Sequence, residues 1–185
     1  MGTVYIFLAE GFEEIEALSV VDILRRAGIS AKTVSVAGNN IVAGAHGISV
    51  VADLVFEKAS FADAAMLVLP GGMPGASGLD AHKGLRELIL NFAKANKPLA
   101  AICAAPLVYG NLGLLKGKHA TCYPGFEKFL EGAILTRDKA VVRDGLFITA
   151  EGPAAAPAFA LEIVDYFLGK EKANEIAKGM LVRNK

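Results

Sequence analysis

The stretch LAAICAAPLVYG, residues 99–110, decides the fold class of this chain. It begins with four apolar residues, Leu99–Ile102, which is the pattern of a strand buried on both faces. Cys103 follows directly, and the residues after it, Ala104–Leu112, have the spacing of a helix. Pro106 falls in the first turn of that helix, where a missing N–H group costs nothing. A buried strand that leads straight into a helix is typical of a parallel sheet covered by helices.

The same alternation extends outward from this stretch to both ends of the chain. Ala65–Leu69 is another continuous apolar run, and it ends at a Pro-Gly-Gly turn, as buried parallel strands often do. Periodicity predicts the remaining elements, which are strands at Thr3–Ala9 and Ala31–Val36 and helices at Ile15–Ala27, Gly84–Ala95, Ala154–Leu168 and Glu171–Lys178. We therefore predict an α/β fold, with a mostly parallel sheet between helices, in a single domain over residues 1–185.

Two segments predict hairpins rather than helices. Ile41–Val51 is rich in β-branched residues but contains two glycines, which interrupt a helix. Further on, Ala140–Arg143 and Leu146–Ala150 flank the dipeptide Asp144-Gly145. An Asp-Gly pair between two β-rich runs is a strong signal for a tight hairpin turn.

The composition limits the classes of function that remain. The chain has 19 basic and 19 acidic residues and a formal net charge of zero, so the basic surface of a nucleic-acid-binding protein is missing. The first residues lack the basic start of a signal peptide, and no apolar run is long enough to span a membrane. We therefore expect a cytoplasmic protein that binds neither nucleic acid nor membrane. With two cysteines, three histidines and no CxxC motif, we expect neither a disulfide framework nor a structural zinc site.

Ligands of open α/β sheets bind beyond the carboxyl ends of the strands, which here points to the loops 10–14, 70–75 and 103–106. Cys103 has the position of a nucleophile elbow, where a sharp turn exposes a side chain at the end of a sheet. The start of the following helix would favour the thiolate form of that cysteine. The alternative is a buried structural cysteine, since unpaired cysteines are among the most buried residues.

Glu16 is the candidate partner of this cysteine. It shares a helix face with the apolar residues Val20 and Ile23, so its carboxyl group is expected to point inward. Burial raises the pKa of a carboxyl group, which lets it donate a hydrogen bond to a thiolate or act as a general acid and base. The alternative is an acid that only stabilises the start of its helix.

Three further groups of residues are candidates near the same loops. The N–H groups of Gly71 and Gly72 are suited to bind an oxyanion because no Cβ blocks approach, although the two glycines would also suit a simple turn. Tyr123 would supply a hydroxyl group if residues 119–126 fold back over the site; otherwise it is a partly buried residue of a β-rich segment. A Cys–His dyad is not expected, because Ala104 follows the cysteine and the three histidines lie outside the three loops, at His46, His82 and His119.

Four stretches resemble the DJ-1/PfpI superfamily, close to its DJ-1/ThiJ-like branch. They are AEGFEEIEALSVVDILRRAGI (9–29), VLPGGMP (68–74), LAAICAAP (99–106) and DGLFITAEGP (144–153). The resemblance implies a flavodoxin-like three-layer sandwich that usually forms a homodimer. It also implies that Cys103 is the elbow cysteine, that Glu16 hydrogen-bonds to it, and that the N–H groups of Gly72 and Ala104 form an oxyanion pocket with Gly71 beside them.

Members of this branch have been described as cofactor-independent glyoxalases, as deglycases acting on glycated proteins or nucleotides, and as oxidative-stress sensors or chaperones. Peptidase activity is not expected here, because Ala104 stands where the protease-like branch has histidine. Tyr123 stands where some relatives have histidine, and Glu151 stands where relatives commonly have arginine. The arginine-lined pocket that the resemblance implies is therefore incomplete.

These observations favour an enzyme of the glyoxalase III-like lyase or deglycase-like hydrolase type, without cofactor or metal. On this hypothesis the Cys103 thiolate adds to a small 2-oxoaldehyde such as methylglyoxal. Glu16 then moves a proton between the two adjacent carbons, and water releases a 2-hydroxy acid. The alternative is a non-enzymatic oxidative-stress sensor or chaperone, switched by oxidation of Cys103.

Overall fold

A computed structural model describes residues 2–182 of the chain. The strands are β1 (Thr3–Leu8), β2 (Ala31–Ser35), β3 (Ile41–Ala43), β4 (Ser49–Val51), β5 (Leu54–Val55), β6 (Ala64–Leu69), β7 (Leu99–Ile102), β8 (His119–Ala120), β9 (Ile134–Leu135), β10 (Val141–Asp144) and β11 (Phe147–Ala150). The helices are α1 (Glu14–Arg26), α2 (Gly75–Ala81), α3 (Lys83–Lys94), α4 (Pro106–Asn111), α5 (Ala156–Leu168) and α6 (Lys170–Gly179).

Seven of the strands form the central sheet, in the order β10-β11-β7-β6-β1-β2-β5. All neighbours in this sheet are parallel except β10 and β11, which form the antiparallel hairpin predicted around Asp144-Gly145. The registers Leu69↔Ala101 and Ala150↔Ile102 bring the ends of β6, β7 and β11 to one edge. Residues that follow these strands therefore meet at that edge.

The helices form two groups around this sheet. Helix α1 packs against α5, and α5 packs against α6, while α2 packs against both α3 and α4. The mostly parallel sheet thus lies between helices, and the predicted α/β sandwich is confirmed. All residues of β1 and β7 are buried, which explains why those strands are apolar runs without alternation.

Most predicted elements are present, with ends shifted by one or two residues. The helix predicted over Ala104–Leu112 is shorter, because residues 104 and 105 form a turn and helix α4 begins at Pro106. Helix α2 was not predicted, since GASGLDA is rich in residues of low helix propensity. The predicted hairpin over Ile41–Val51 is confirmed as the antiparallel pair β3–β4.

Within residues 2–182, no helix combines the length and the apolar character that crossing a membrane requires.

Candidate active site

Three strand-end loops meet at the edge of the sheet where β1, β6 and β7 end. The N–H group of Glu13 donates to the carbonyl oxygen of Gly71 at 2.9 Å, which ties the first loop to the second. The third loop is equally close, because a Cβ added to Gly71 would lie 2.7 Å from the Cβ of Cys103 and 3.0 Å from the nitrogen of Ala104. The structure therefore brings together the loops that the strand-end rule singled out.

Cys103 occupies a sharp turn between strand β7 and helix α4. Its φ angle is 64°, in the left-handed region that residues other than glycine seldom adopt. Its N–H group donates to the carbonyl oxygen of Ala150 at 2.9 Å, and its own carbonyl oxygen accepts from the N–H group of Tyr123 at 2.8 Å. Hydrogen bonds from two sides therefore hold the backbone of the cysteine in this conformation. The residue is buried but not sealed, since 8% of its surface remains exposed.

Glu16 lies on the inward face of helix α1 and is completely buried. The N–H group of Gly71 donates to its Oε2 atom at 2.7 Å, while its Oε1 atom makes no hydrogen bond of ordinary geometry. The Cys103 thiol lies close enough that each group shifts the pKa of the other. The carboxyl group is therefore fixed on one side and free to exchange a proton with the sulfur on the other.

Glu13 fixes the start of the helix that carries Glu16. Its carboxylate caps α1 by accepting from the N–H group of Glu16 at 2.7 Å, an arrangement that satisfies one of the free N–H groups of the first turn. The sequence analysis assigned no role to Glu13. Glu13 lies three positions before Glu16, which is the spacing of a side-chain cap, so the pattern itself carried a signal that was missed.

Both glycines of the second loop are required by close contacts. A side chain at Gly71 would approach Oε2 of Glu16 to 2.9 Å and also contact the cysteine. Gly72 has a φ angle of 85°, and a Cβ there would overlap the backbone of Gly11 and Glu13. Their N–H groups consequently lie within the site, where that of Gly71 binds the acid and that of Gly72 interacts with the Cys103 sulfur.

Burial dominates the electrostatics of the pair. It raises the pKa of Glu16 to about 7, against the lowering effect of its hydrogen bonds to Gly71 and Cys103. Burial, and then the charge of Glu16, raise the pKa of Cys103 to about 12, while the N–H groups of Gly72 and Ala104 lower it. The pKa of the thiol applies when Glu16 is already ionised. The pair of Cys103 and Glu16 therefore loses its first proton near neutral pH and its second only at high pH.

The expectation that a helix start favours the thiolate is therefore wrong as stated. Helix α4 begins three residues after Cys103 and is only six residues long, and burial outweighs the donors that face the sulfur. With one proton shared between sulfur and carboxyl, a thiolate beside a carboxylic acid has the same charge as a thiol beside a carboxylate. The reactive form of Cys103 thus depends on Glu16 holding the proton.

Comparisons with known proteins show the family to which the chain belongs. A sequence model of the DJ-1/PfpI family matches residues 2–166. The chain belongs to the DJ-1/PfpI family. The relative named Protein dj-1beta of Drosophila melanogaster is 35% identical over 178 residues, which cover 96% of this chain and 95% of that protein. The solved structure titled Toxoplasma gondii DJ-1, oxidized, has a TM-score of 0.94 at 32% identity and covers 100% of both chains.

Two further relatives are informative, one for its length and one for its name. Protein DJ-1 homolog B of Arabidopsis thaliana is 36% identical over 181 residues, 97% of this chain, but the chain spans only 41% of its length. The protein named Glutathione-independent glyoxalase DJR-1.2 of Caenorhabditis elegans is 33% identical over 171 residues, covering 91% of this chain and 90% of that protein. A DJ-1/PfpI relative is thus named as a glyoxalase.

Tyr123 folds back beside the cysteine. Its N–H group donates to the carbonyl oxygen of Cys103, and its ring stands edge-on to Phe126 and against Gly152, where an added Cβ would lie 3.2 Å from the ring. The side chain remains 46% exposed. Tyr123 therefore lies beside Cys103. A catalytic use of its hydroxyl group stays a prediction.

His46 reaches the border of the site, which sequence reasoning did not predict. The β3–β4 hairpin docks on the first loop, because the N–H group of Ala45 donates to the carbonyl oxygen of Phe12. Nδ1 of His46 then lies 2.8 Å from Oε2 of Glu14, so the pKa of the histidine is raised and that of the acid is lowered. Gly44 makes this docking feasible, since any Cβ there would overlap the Glu14 carboxyl group.

Glu13, Glu14 and His46 place one potential metal-ligand atom each within 4.8 Å of one another. Glu14 already accepts from the N–H group of His46 at 2.8 Å and from its ring, so the cluster is explained without a cation. The other histidines lie elsewhere: His82 caps helix α3, and the ring of His119 lies near Thr136. Across residues 2–182 no histidine hydrogen-bonds to Cys103, so the described residues contain no Cys–His dyad.

Proposed function

We propose that this DJ-1/PfpI protein is a cysteine-dependent, cofactor-independent glyoxalase or deglycase-type enzyme that acts on small 2-oxoaldehydes or their adducts. The observation that carries the proposal is a completely buried acid, with a pKa raised to about 7, beside the elbow cysteine. A group with such a pKa can both accept and return a proton near neutral pH. The glyoxalase name of a relative that is 33% identical supports the same chemistry.

In the proposed reaction, the sulfur of Cys103 forms a bond to the aldehyde carbon of methylglyoxal. The aldehyde oxygen takes up a proton, which gives a hemithioacetal. Glu16 removes the remaining hydrogen of that carbon as a proton, the electron pair moves to the neighbouring ketone, and Glu16 returns the proton to the second carbon. The hydroxyl proton of the first carbon passes to the former ketone oxygen, so that the first carbon becomes a carbonyl and the second carries a hydroxyl group. The product is a thioester, and water cleaves its S–C bond to release lactate and the free thiol.

This sequence needs no redox cofactor, because one carbon of the substrate is oxidised while its neighbour is reduced. The N–H groups of Gly72 and Ala104, which interact with the Cys103 sulfur, are the proposed donors to the oxygen that gains negative charge. Gly71 serves by holding Oε2 of Glu16 at 2.7 Å. An adduct of the aldehyde with an amine or thiol would enter the same steps after releasing the aldehyde.

The test is lactate formation from methylglyoxal by wild-type protein and by two variants. Cys103→Ala and Glu16→Gln should give no lactate above the rate without enzyme. Cys122→Ala is the matched control, because Cys122 is as buried as Cys103 but its pKa is shifted by the charges of Glu127 and Arg137 rather than by Glu16, and it should keep wild-type turnover. Wild-type turnover by either of the first two variants would exclude the mechanism.

A second candidate function, an oxidation sensor, is favoured by the donors around the sulfur. Two N–H groups and a carboxyl group beside Cys103 can hydrogen-bond to oxygen atoms added by peroxide. Cys103 and Cys122 are 8% and 7% exposed, so exposure alone would not make one of them react first. Mass spectrometry after mild peroxide should show oxidation of Cys103 alone; equal oxidation of both would remove this candidate.

We also propose that the protein forms a homodimer, as DJ-1 family proteins typically do. Exposed apolar side chains occur both on helix α1 and on the β3–β4 hairpin, which docks beside the start of that helix. They are Ile15, Leu18, Ile41, Ile48 and Val51. An exposed patch of this kind is a common mark of a protein–protein interface.

The proposed location is the cytoplasm. Both cysteines are free thiols, and the proposed chemistry needs Cys103 to stay reduced, which a reducing compartment ensures. Fractionation of the source cells, with an antibody against the protein, tests this; recovery only from an oxidising compartment would contradict it.

A further inference from the structure

Three glutamates lie close together where helix α1 begins. Glu13 and Glu14 are 6% and 4% exposed, and Glu16 is completely buried. Carboxylates that are held near one another and away from water oppose one another's ionisation unless a cation is near. The charge of Glu13 does raise the pKa of Glu16. The proton that Glu16 shares with Cys103 therefore depends on the balance of charge at this helix start.

His46 brings a positive charge to the same place. Its Nδ1 atom lies 2.8 Å from Oε2 of Glu14 and 3.9 Å from Oε1 of Glu13. Among residues 2–182, these are the ion pairs that the two acids form. The contact with Glu14, and to a smaller extent the charge of Glu13, raise the pKa of His46. The ring therefore stays cationic to a higher pH than the ring of an ordinary histidine.

Main-chain hydrogen bonds carry the His46 ring to these acids. The N–H group of Gly11 donates to the carbonyl oxygen of Ala43 at 2.8 Å, and the N–H group of Ala45 donates to that of Phe12 at 2.8 Å. The β3–β4 hairpin is thus docked on the first loop by bonds that do not involve the ring. A change in the side chain of His46 can therefore remove the charge while the backbone stays in place.

Few other charged groups face the ring. The hairpin over residues 41–51 contains no acid and no base besides His46. The first loop adds one further acid, Glu10, whose carboxylate accepts from the hairpin backbone at 3.0 Å. Glu10 is exposed, so water and salt screen its charge. The charges that act on the ring are consequently those of Glu14 and Glu13.

We propose that His46 is a positioning residue of the Cys103 site, which brings a positive charge to the acids of α1 and so favours release of the proton that Cys103 and Glu16 share. When the ring is charged, it offsets Glu13 and eases the ionisation of Glu16. When the ring loses its proton, Glu13 and Glu14 oppose that ionisation in full. The inference deepens the proposed function, since it concerns the proton balance of the acid that the proposed reaction uses.

The test follows the alkylation of Cys103 by iodoacetamide as a function of pH, at low ionic strength and with mass spectrometry as the readout. The thiolate sulfur forms a bond to carbon, and iodide leaves with the electrons of the carbon–iodine bond. The rate therefore rises with the first ionisation of the Cys103–Glu16 pair. His46→Asn keeps an N–H donor at the place of Nδ1 but carries no charge. It should react about two- to threefold more slowly than the wild type at about pH 6, and equally fast at about pH 9, where the wild-type ring has lost its proton.

Two further variants test the sign of the effect. Glu13→Gln keeps an oxygen atom that can cap α1 but removes the charge, so it should speed the reaction about two- to threefold at about pH 6. His46→Lys carries a charge throughout this range and should react at least as fast as the wild type. His82→Asn is the matched control, because His82 caps helix α3 and asparagine is also a good cap; its profile should match that of the wild type.

A His46→Asn profile that coincides with that of the wild type, or that is slower at every pH as in a merely loosened site, would overturn the inference. Lactate formation from methylglyoxal is measured over the same pH range. If no protein forms lactate while the alkylation profiles shift as expected, the proposed function fails and the role of His46 stands. If lactate forms and neither profile responds to His46→Asn, the role of His46 alone fails.

Discussion

Gly71 lies against both the cysteine and the acid of the site. Its N–H group binds Oε2 of Glu16, and its missing side chain leaves room for Cys103. Any larger residue would come within 2.7 Å of the cysteine Cβ and 2.9 Å of the carboxyl oxygen. The distance between the two reactive groups is therefore set by a residue that has no side chain.

We predict that Gly71→Ala destabilises the protein by about 1–3 kcal/mol, because the added methyl group overpacks a buried site. It should also abolish lactate formation, since the cysteine and the acid must move apart. Urea unfolding measures the first effect and the methylglyoxal assay the second. Gly179→Ala is the control, because a Cβ at Gly179 meets nothing within 4 Å. Wild-type stability and turnover in Gly71→Ala would contradict this description of the site.

Glu16 gives the protein a specific dependence of stability on pH. Its pKa rises from an ordinary 4.5 to about 7 in the folded state, so the folded protein keeps this proton at pH values where the unfolded chain has lost it. The contribution is fully present below pH 4.5 and is lost as the pH rises to 7. Relative to Glu16→Gln, which cannot ionise, the wild type should lose about 3 kcal/mol over this interval.

Urea unfolding of both proteins at a series of pH values measures this difference. Other ionisable groups cancel when the two curves are subtracted, so the remaining slope belongs to Glu16. Parallel curves for the two proteins would show that the folded-state pKa of Glu16 is ordinary.

For single residues, the sequence could predict where Cys103 and Glu16 lie in the fold, but it could not predict how the pKa of Cys103 is shifted. The inward face of Glu16 follows from its spacing to Val20 and Ile23, and the elbow follows from the strand before Cys103. The direction of the Cys103 pKa shift did not follow, because it depends on how deeply the packed structure buries the sulfur. That burial results from the meeting of three loops that are distant in sequence.

Among the elements, the β3–β4 hairpin completes the border of the site. It is held to the first loop by the hydrogen bond from Ala45 to Phe12 and by the contact of Glu14 with His46. Glu14 itself is buried, and its pKa is lowered by the ring and N–H group of His46. The hairpin is thus attached both by backbone hydrogen bonds, including that from Gly11 to Ala43 at 2.8 Å, and by one acid of helix α1.

We predict that Gly44→Ala detaches this hairpin, because the added methyl group would overlap the Glu14 carboxyl group. Amide hydrogen exchange over residues 41–51 should become at least about tenfold faster, as expected for local opening. Residues of α5 and α6, which pack away from the hairpin, serve as the internal control and should keep their protection. Unchanged exchange in the hairpin would show that the Glu14 contact does not hold it.

The hairpin was predictable as an element, but its location was not. Gly44 and Gly47 interrupt a β-rich run and so indicate a turn. The docking of that turn on helix α1 depends on a buried acid far away in sequence, and no local pattern records it. Helix α2 was missed for a related reason, since it is stabilised by packing against α3 and α4 rather than by its own propensity.

For the whole molecule, the exposed apolar residues of α1 and of the β3–β4 hairpin form the proposed dimer surface. We predict that Ile48→Asp converts a dimer into a monomer, because a charge in an apolar interface must be desolvated. Sedimentation at micromolar concentration measures the mass. Ile134→Asp, which changes a similarly exposed residue of strand β9, is the control and should remain dimeric.

A wild-type protein that sediments as a monomer would contradict the proposed dimer. The apolar excess of the composition, 54%, was compatible with a buried sheet, an interface, or both. The structure assigns most of it to the strands and helix faces of the core, and composition could not say where the remainder lies. Which surface is left exposed depends on the order of the strands, and that order is a property of the complete fold.

The central claim is that Cys103 and Glu16 share their protons as one unit, and an NMR titration of the Cys103 Cβ, labelled with carbon-13, tests it most directly. In wild-type protein the signal should change in two steps, one near the Glu16 pKa of about 7 and one near the Cys103 pKa of about 12. In Glu16→Gln a single step should remain, between those two. A single step at the same pH in both proteins would mean that the acid and the sulfur ionise independently, and the account would be wrong.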